Sequence, residues 1–162
     1  MREIAKAADL SAANLYYYFG SKQELLYFCQ DHSLDRMLAA CRSQRGRRTG
    51  PADRLRRVIA EHLRCTLDEL DGAAAHLEVD ALGGRMRTRI LKKRDRYERE
   101  VRAVIQEGVR QGTFVRVDAA LVSRAILGAL NWTARWYRPD GPVAPETVAK
   151  AYAEYLVRGL TA

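Results

Sequence analysis

The sequence predicts an all-α protein, with a small helix-turn-helix head on a larger helical body. Three observations predict this. Apolar residues recur at helical spacing along most of the chain. Alternating β-branched runs joined by hairpin dipeptides are nearly absent. Serine, aspartate, proline and glycine stand where helices should start and stop. The 162 residues, 48% hydrophobic and 30% charged, are enough to bury a sizeable core and do not have the composition of a disordered chain.

The first helix reads from Arg2 to Ala8, with Ile4, Ala5 and Ala8 on one face. Asp9 and Leu10 turn the chain into Ser11, an N-cap whose hydroxyl can accept from backbone N–H groups one turn on. The short helix that follows stops at Gly20, and Ser21 with Glu24 forms a capping box for the next one. Leu15 and Phe19, four apart, should face inward onto Ile4 and Leu10. Ser11, Ala12, Ala13, Asn14, Tyr16, Tyr17 and Tyr18 are then left to the outside. Three adjacent tyrosines point in three directions and cannot all be buried on one helical face. A phenol can donate to a phosphate oxygen or a base edge, two alanines allow close approach, and asparagine can pair bidentately with adenine. Helix, tight turn, helix is the arrangement whose second helix enters a DNA major groove.

A helix from Lys22 to about Gln44 follows, with Leu25, Leu26, Cys29, Ser33, Met37 and Ala40 inward, and then a basic linker, Arg42 to Gly50. Pro51 opens a helix to about Leu70, with Leu55, Val58, Ile59, His62, Thr66 and Leu70 inward. A shorter helix should span Gly72 to Leu82, and a long one Met86 to Gln111, whose inward row holds Met86, Ile90, Arg94, Tyr97, Val101, Val104, Ile105 and Gly108. The helix from Asp118 to about Tyr137 is apolar around most of its circumference and so needs cover on two sides. Core on one side and an identical surface of a second copy on the other would satisfy it. Gly128 and Ala129 permit close approach, and the last helix, Glu146 to Gly159, adds a second wall. A symmetric interface through Leu121, Ala125, Gly128, Ala129, Tyr152, Tyr155 and Leu156 follows, making a homodimer the expected state. The domain division expected is a head with its connecting helix at 1–44 and a ligand-binding and dimerisation body at 45–162.

The run from Leu15 to Lys22, through Tyr16, Tyr18 and Phe19, and on to Leu25 and Leu26, resembles the DNA-binding head of the TetR family of transcriptional repressors. That resemblance implies that Tyr16 and Lys22 grip phosphates, that Ala12, Ala13, Asn14 and Tyr17 face base edges, and that Tyr18 borders the backbone. It also implies a ligand-responsive repressor, dimeric, on a near-palindromic operator. Asp9 stands where the family usually has glycine, a mild change because aspartate tolerates the left-handed turn. The family also places another helix ahead of this motif that the sequence does not show. The alternative function is therefore a helical dimeric small-molecule-binding protein that has lost DNA binding. Around Gly112, Thr113 and Phe114, and from Ala129 to Tyr137, the chain is similar to family members that regulate lipid or acyl-thioester breakdown.

The formal charge of +8 suits a polyanionic partner, but it is unevenly placed. Residues 1–48 hold eight Lys/Arg against five Asp/Glu, whereas residues 85–102 hold nine against three. An effector pocket among the helices of residues 51–137 would take its polar and aromatic lining from His62, Arg94, Tyr97, Trp132 and Trp136. The basic surplus could serve an anionic ligand such as a CoA thioester. Cys29 with His32 and His62 with Cys65 have spacing that a metal site could use, but such pairs arise easily on helices, and no metal or cofactor is assigned. No phosphate loop, nucleophile elbow or inward carboxylate pair points to an enzyme. No apolar run spans a bilayer, no leader is visible, and three cysteines suit a reducing cytoplasm.

Overall fold

The computed structural model describes residues 1–7, 9–43, 49–67 and 78–161. Among them are seven α-helices and no strand: α1 (Arg2–Ala7), α2 (Ala12–Tyr18), α3 (Lys22–Ser43), α4 (Pro51–Leu67), α5 (Gly84–Arg110), α6 (Ala119–Trp136) and α7 (Pro145–Arg158). The basic linker falls mostly outside these residues, as do Ala8 and Leu70. So does most of the expected helix from Gly72 to Leu82, whose described end is a single 3₁₀ turn, Val79–Ala81.

The capping signals act where the sequence puts them. Ser11 Oγ accepts from Asn14 N at 3.0 Å, and Ser21 Oγ accepts from Glu24 N at 3.1 Å. The Glu24 carboxylate reaches one residue beyond the expected reciprocal partner and accepts from Gly20 N at 2.9 Å. Asp9 takes the left-handed conformation at φ 53°, so the turn before α2 keeps the geometry that glycine would give it. Asp118 caps α6, its Oδ1 accepting from Ala120 N at 2.8 Å and Leu121 N at 3.2 Å.

Helix α4 is the centre of the body and touches α3, α5, α6 and α7. Leu55, Val58, Ile59, His62, Leu63 and Thr66 form its buried stripe, which meets Ile90, Tyr97, Val101, Val104 and Ile105 of α5. Arg54 binds Glu107 of α5 at 2.6 Å, and Arg56 binds Glu154 of α7 at 3.2 Å. Helices α3 and α5 lie side by side and run the same way. A Cβ placed on Gly83 would sit 3.5 Å from Gln23 Oε1, and Lys93 bridges to Asp31 and Asp35 further along. Ser123 of α6 donates to Glu98 of α5 at 2.7 Å.

Two sequence expectations need correcting. Ile4 and Leu10 stay exposed, because Ala5 is the residue that α1 buries. Phe19 is half-buried with its ring 5.3 Å from Phe28 of α3. Trp132 and Trp136, expected to point into the body, stand instead on its outside: on α6 Trp132 falls opposite Ser123, Ile126, Leu130 and Thr133, and Trp136 falls on the flank, against Tyr152 of α7.

Candidate functional site

Helix α2 buries one side chain, Leu15, and turns the rest of its surface outward. Tyr16, Tyr17 and Tyr18 are 54%, 85% and 72% exposed. Tyr17 and Tyr18 meet edge to face with ring centroids 5.2 Å apart, which holds both phenols outward. Ser11, Ala13, Asn14 and Lys22 are exposed beside them, and Ala12 is half-buried. Donors, small residues and a cation thus share one uncovered surface at one end of the molecule. This composition suits a polyanion with readable base edges.

The body holds a second candidate site between α3, α4, α5 and α6. Leu34, Met37, His62, Arg94, Tyr97, Leu127 and Asn131 line a cavity of about 80 Å³. His62 Nδ1 and Tyr97 Oη lie 3.3 Å apart, with ring centroids 5.7 Å apart, and both residues are buried. Burial pushes the Tyr97 phenol well above its ordinary 10.0, helped by the nearby Cys41 and Cys65 thiols and the Glu61 carboxylate. The phenol therefore stays a neutral donor. Burial also pulls the Arg94 guanidinium below its ordinary value, and Asp80 opposes that shift. A partly desolvated cation beside a protonated phenol, an imidazole and apolar walls can receive the polar end of a largely apolar ligand. Of the five expected lining residues, the structure brings His62, Arg94 and Tyr97 together and leaves out Trp132 and Trp136. Leu34, Met37, Leu127 and Asn131 were missed as lining. Leu34 and Met37 stand three apart on α3, on one helical face, but nothing in that spacing separates a cavity wall from core.

The third surface is on α6 and α7. Leu121, Ala125, Gly128 and Trp132 form an exposed row along α6, and Leu121 and Trp132 are 62% and 64% exposed. Tyr155 of α7 is 80% exposed, with Tyr152 and Leu156 half-buried and Ala129 half-buried on α6. A groove of about 580 Å³ runs between the two helices over Val122, Ala125, Ile126, Tyr155 and Leu156. Trp136 stacks against Tyr152 at 6.4 Å and extends this apolar face. Among the described residues no group of three His, Cys, Asp or Glu side chains could hold a metal ion, and no helix is long and apolar enough to cross a membrane.

Comparison with known proteins agrees with this layout. Residues 1–27 match the family described as bacterial regulatory proteins, tetR family. Residues 48–160 match the tetracyclin repressor-like C-terminal domain. The chain is 26% identical over 168 residues to the HTH-type transcriptional repressor KstR2 of Mycobacterium tuberculosis, covering 99% of this chain and 82% of that protein. It is 27% identical to KstR2 of Rhodococcus jostii over 177 residues, covering 99% and 80%. The TetR-family regulator PfmR of Thermus thermophilus superposes with a TM-score of 0.82 at 38% identity, covering 99% of this chain and 88% of that one. The fold of AibR, solved with isovaleryl coenzyme A and operator DNA, superposes with a TM-score of 0.73 at 22% identity, covering 96% and 85%. These are regulators and not enzymes. With a family match that spans most of its length, this chain belongs to the TetR family of transcriptional regulators.

Proposed function

We propose that this protein is a dimeric repressor that holds a near-palindromic operator with α2 and is released by a small hydrophobic or acyl-thioester ligand bound in the body. Residues 1–44 serve as head and connecting helix, and residues 45–162 as ligand-binding and dimerisation body. Two copies meet through Leu121, Ala125, Gly128, Ala129, Tyr152, Tyr155 and Leu156, which puts an exposed apolar face out of water. Each copy sends one α2 into a major groove, with half-sites roughly 34–36 Å apart. Asn14 and Tyr17 read bases while Tyr16 and Lys22 hold phosphates.

One observation carries the coupling of the two sites. Helix α3 begins at Lys22 beside α2, meets the end of α2 through Phe28 and Phe19, and lines the cavity with Leu34 and Met37. The cavity, about 80 Å³, is well below the roughly 300 Å³ or more that a drug-sized ligand occupies. A ligand must therefore displace Leu34, Met37 or Leu127, and displacement of the first two moves α3 and with it the head. Arg94 would meet an anionic or carbonyl group, and the His62–Tyr97 pair a second polar atom, while the apolar part lies against the aliphatic walls. Ligand and operator then favour different positions of α3, which is all that negative coupling requires.

The test is a titration of DNA from upstream of the protein's own gene, with and without isovaleryl coenzyme A or a ketosteroid, the chemistries attached to two of the related regulators. Sequence-specific binding, weakened about 5- to 150-fold by one of these ligands, supports the reading. Ligand binding without any specific DNA binding replaces it with a helical small-molecule-binding protein.

A further inference from the structure

The same spacing occurs twice on neighbouring helices. Arg36, Ala39, Ala40 and Ser43 of α3 stand at i, i+3, i+4 and i+7, and so do Arg57, Ala60, Glu61 and Arg64 of α4. Each set lies on one flank of its helix, and together they line an open groove of about 510 Å³. The groove shares no lining residue with the cavity around His62, Arg94 and Tyr97. Ala39, Ser43, Arg57 and Arg64 are exposed along it, and Arg36, Ala40, Ala60 and Glu61 are half-buried.

Its shape and its charge have separate causes. Packed helices usually interdigitate along facing flanks, but Ala39, Ala40 and Ala60 offer only methyl groups there, which leaves an apolar trough. Three guanidiniums and one carboxylate rim it, a surplus of two positive charges. Glu61 braces an arginine from each helix: Oε1 accepts from Arg36 at 3.4 Å and Oε2 from Arg64 at 3.1 Å. The Arg36 and Arg64 side chains remain 39% and 53% exposed, so the brace orients them without closing them off.

These features select a ligand chemistry. A guanidinium presents a rigid fork of donors that matches phosphate oxygens. A phosphate monoester carries about −1.5 to −2 at neutral pH, close to the surplus that the rim offers. A bare ion would leave the alanine trough unfilled, whereas a flat or aliphatic body attached to the phosphate would cover it. The volume lies within the roughly 300–1,000 Å³ of small-molecule sites.

We propose that the α3–α4 groove is a second small-molecule site and that it takes an organic phosphate, with the phosphate on the arginine rim and the body along the three alanines. The inference depends neither on α2 reading DNA nor on the effector cavity, and its test needs no DNA.

The test is calorimetric titration of the full chain with adenosine monophosphate, a phosphate monoester with a planar body, beside inorganic phosphate and adenosine. The nucleotide should bind saturably and about tenfold or more tightly than either fragment. R57Q/R64Q should weaken it about tenfold or more, and A39L, which fills the trough, should also weaken it. R89Q/R96Q removes two exposed cations of α5 outside the groove and should stay within about twofold of wild type. All these variants should keep the wild-type thermal midpoint without ligand. Should R57Q/R64Q fail to fold, R57Q alone, which leaves both Glu61 pairs in place, carries the same test. No saturable nucleotide binding up to about 1 mM overturns the proposal. Inorganic phosphate binding as tightly as the nucleotide, or A39L without effect, overturns it in favour of a free anion. Adenosine binding as tightly overturns it in favour of an uncharged ligand. Equal losses for R57Q/R64Q and R89Q/R96Q overturn it in favour of diffuse attraction to the net positive charge.

Discussion

Lys93 on α5 and Asp31 on α3 form a 2.6 Å ion pair across the two helices that rise together from the head into the body. Asp35, one turn further along α3, lies 2.9 Å from the same Nζ. Burial alone would lower the lysine pKa, but hydrogen bonds and charge from both aspartates outweigh it and raise it above 10.5. The stabilising contribution is therefore fully present below pH 10.5 and is lost as pH rises through the higher folded value. Lys93→Met should cost about 1 kcal/mol at neutral pH by urea unfolding. Combined with Asp31→Asn it should cost less than the sum of the two single changes. Under the proposed coupling through α3, which the pair ties to α5, Lys93→Met should also alter the ligand concentration needed for DNA release.

Tyr97 gives a second pH-dependent term, of the same sign. Its phenol stays protonated in the folded chain past the ordinary 10.0, mainly through burial. An unfolded tyrosine ionises near that value, so stability holds below it and falls as pH rises above it, by up to about 1.4 kcal/mol per pH unit. Tyr97→Phe should flatten the loss of stability between neutral and strongly alkaline pH, measured as denaturation midpoints of both proteins across that range.

Gly108 looks like a weak point in α5, since glycine costs a helix interior about 1 kcal/mol relative to alanine. A Cβ there would run into the Phe114 ring, which the chain folds back over the helix end through the bridge between Phe114 and Thr161. Gly108→Ala should therefore destabilise, by on the order of 1–3 kcal/mol. A gain in chemical-denaturation midpoint would show that Phe114 has room to shift.

The exposed row on α6 should behave as an interface. Leu121→Glu or Gly128→Glu places a charge within it and should convert a dimer to monomer in sedimentation or light scattering, with the helical signal unchanged. Operator affinity should drop with it, since one α2 holds one half-site.

The all-α class, the helix-turn-helix and the capping serines were all legible because each depends on neighbours a few residues away. Leu15 inward with the tyrosines outward follows from helical periodicity alone. Periodicity could not tell which of two apolar faces of α6 the body would cover. Trp132 and Trp136 read as inward, yet Ser123 and Thr133 are the buried ones, because each satisfies its hydroxyl on the preceding turn, at Ala120 O and Leu130 O. The cavity was legible only in part: His62, Arg94 and Tyr97 stood out as polar groups in apolar rows. Leu34, Met37, Leu127 and Asn131 did not, since a wall residue and a core residue have the same spacing. The clamp of Lys93 by Asp31 and Asp35 joins residues some sixty positions apart, and no local pattern carries that.

The central claim is that α2 reads DNA, and fluorescence anisotropy of a labelled operator duplex tests it most directly. The wild-type chain should bind the operator on the order of a thousandfold or more tighter than a scrambled duplex. Asn14→Ala and Tyr17→Ala should each erode that ratio by about 1–3 kcal/mol, and Lys22→Ala should weaken both duplexes alike and reduce the salt slope by about one. Equal affinity for operator and scrambled DNA, or equal losses on both for all three variants, would contradict it.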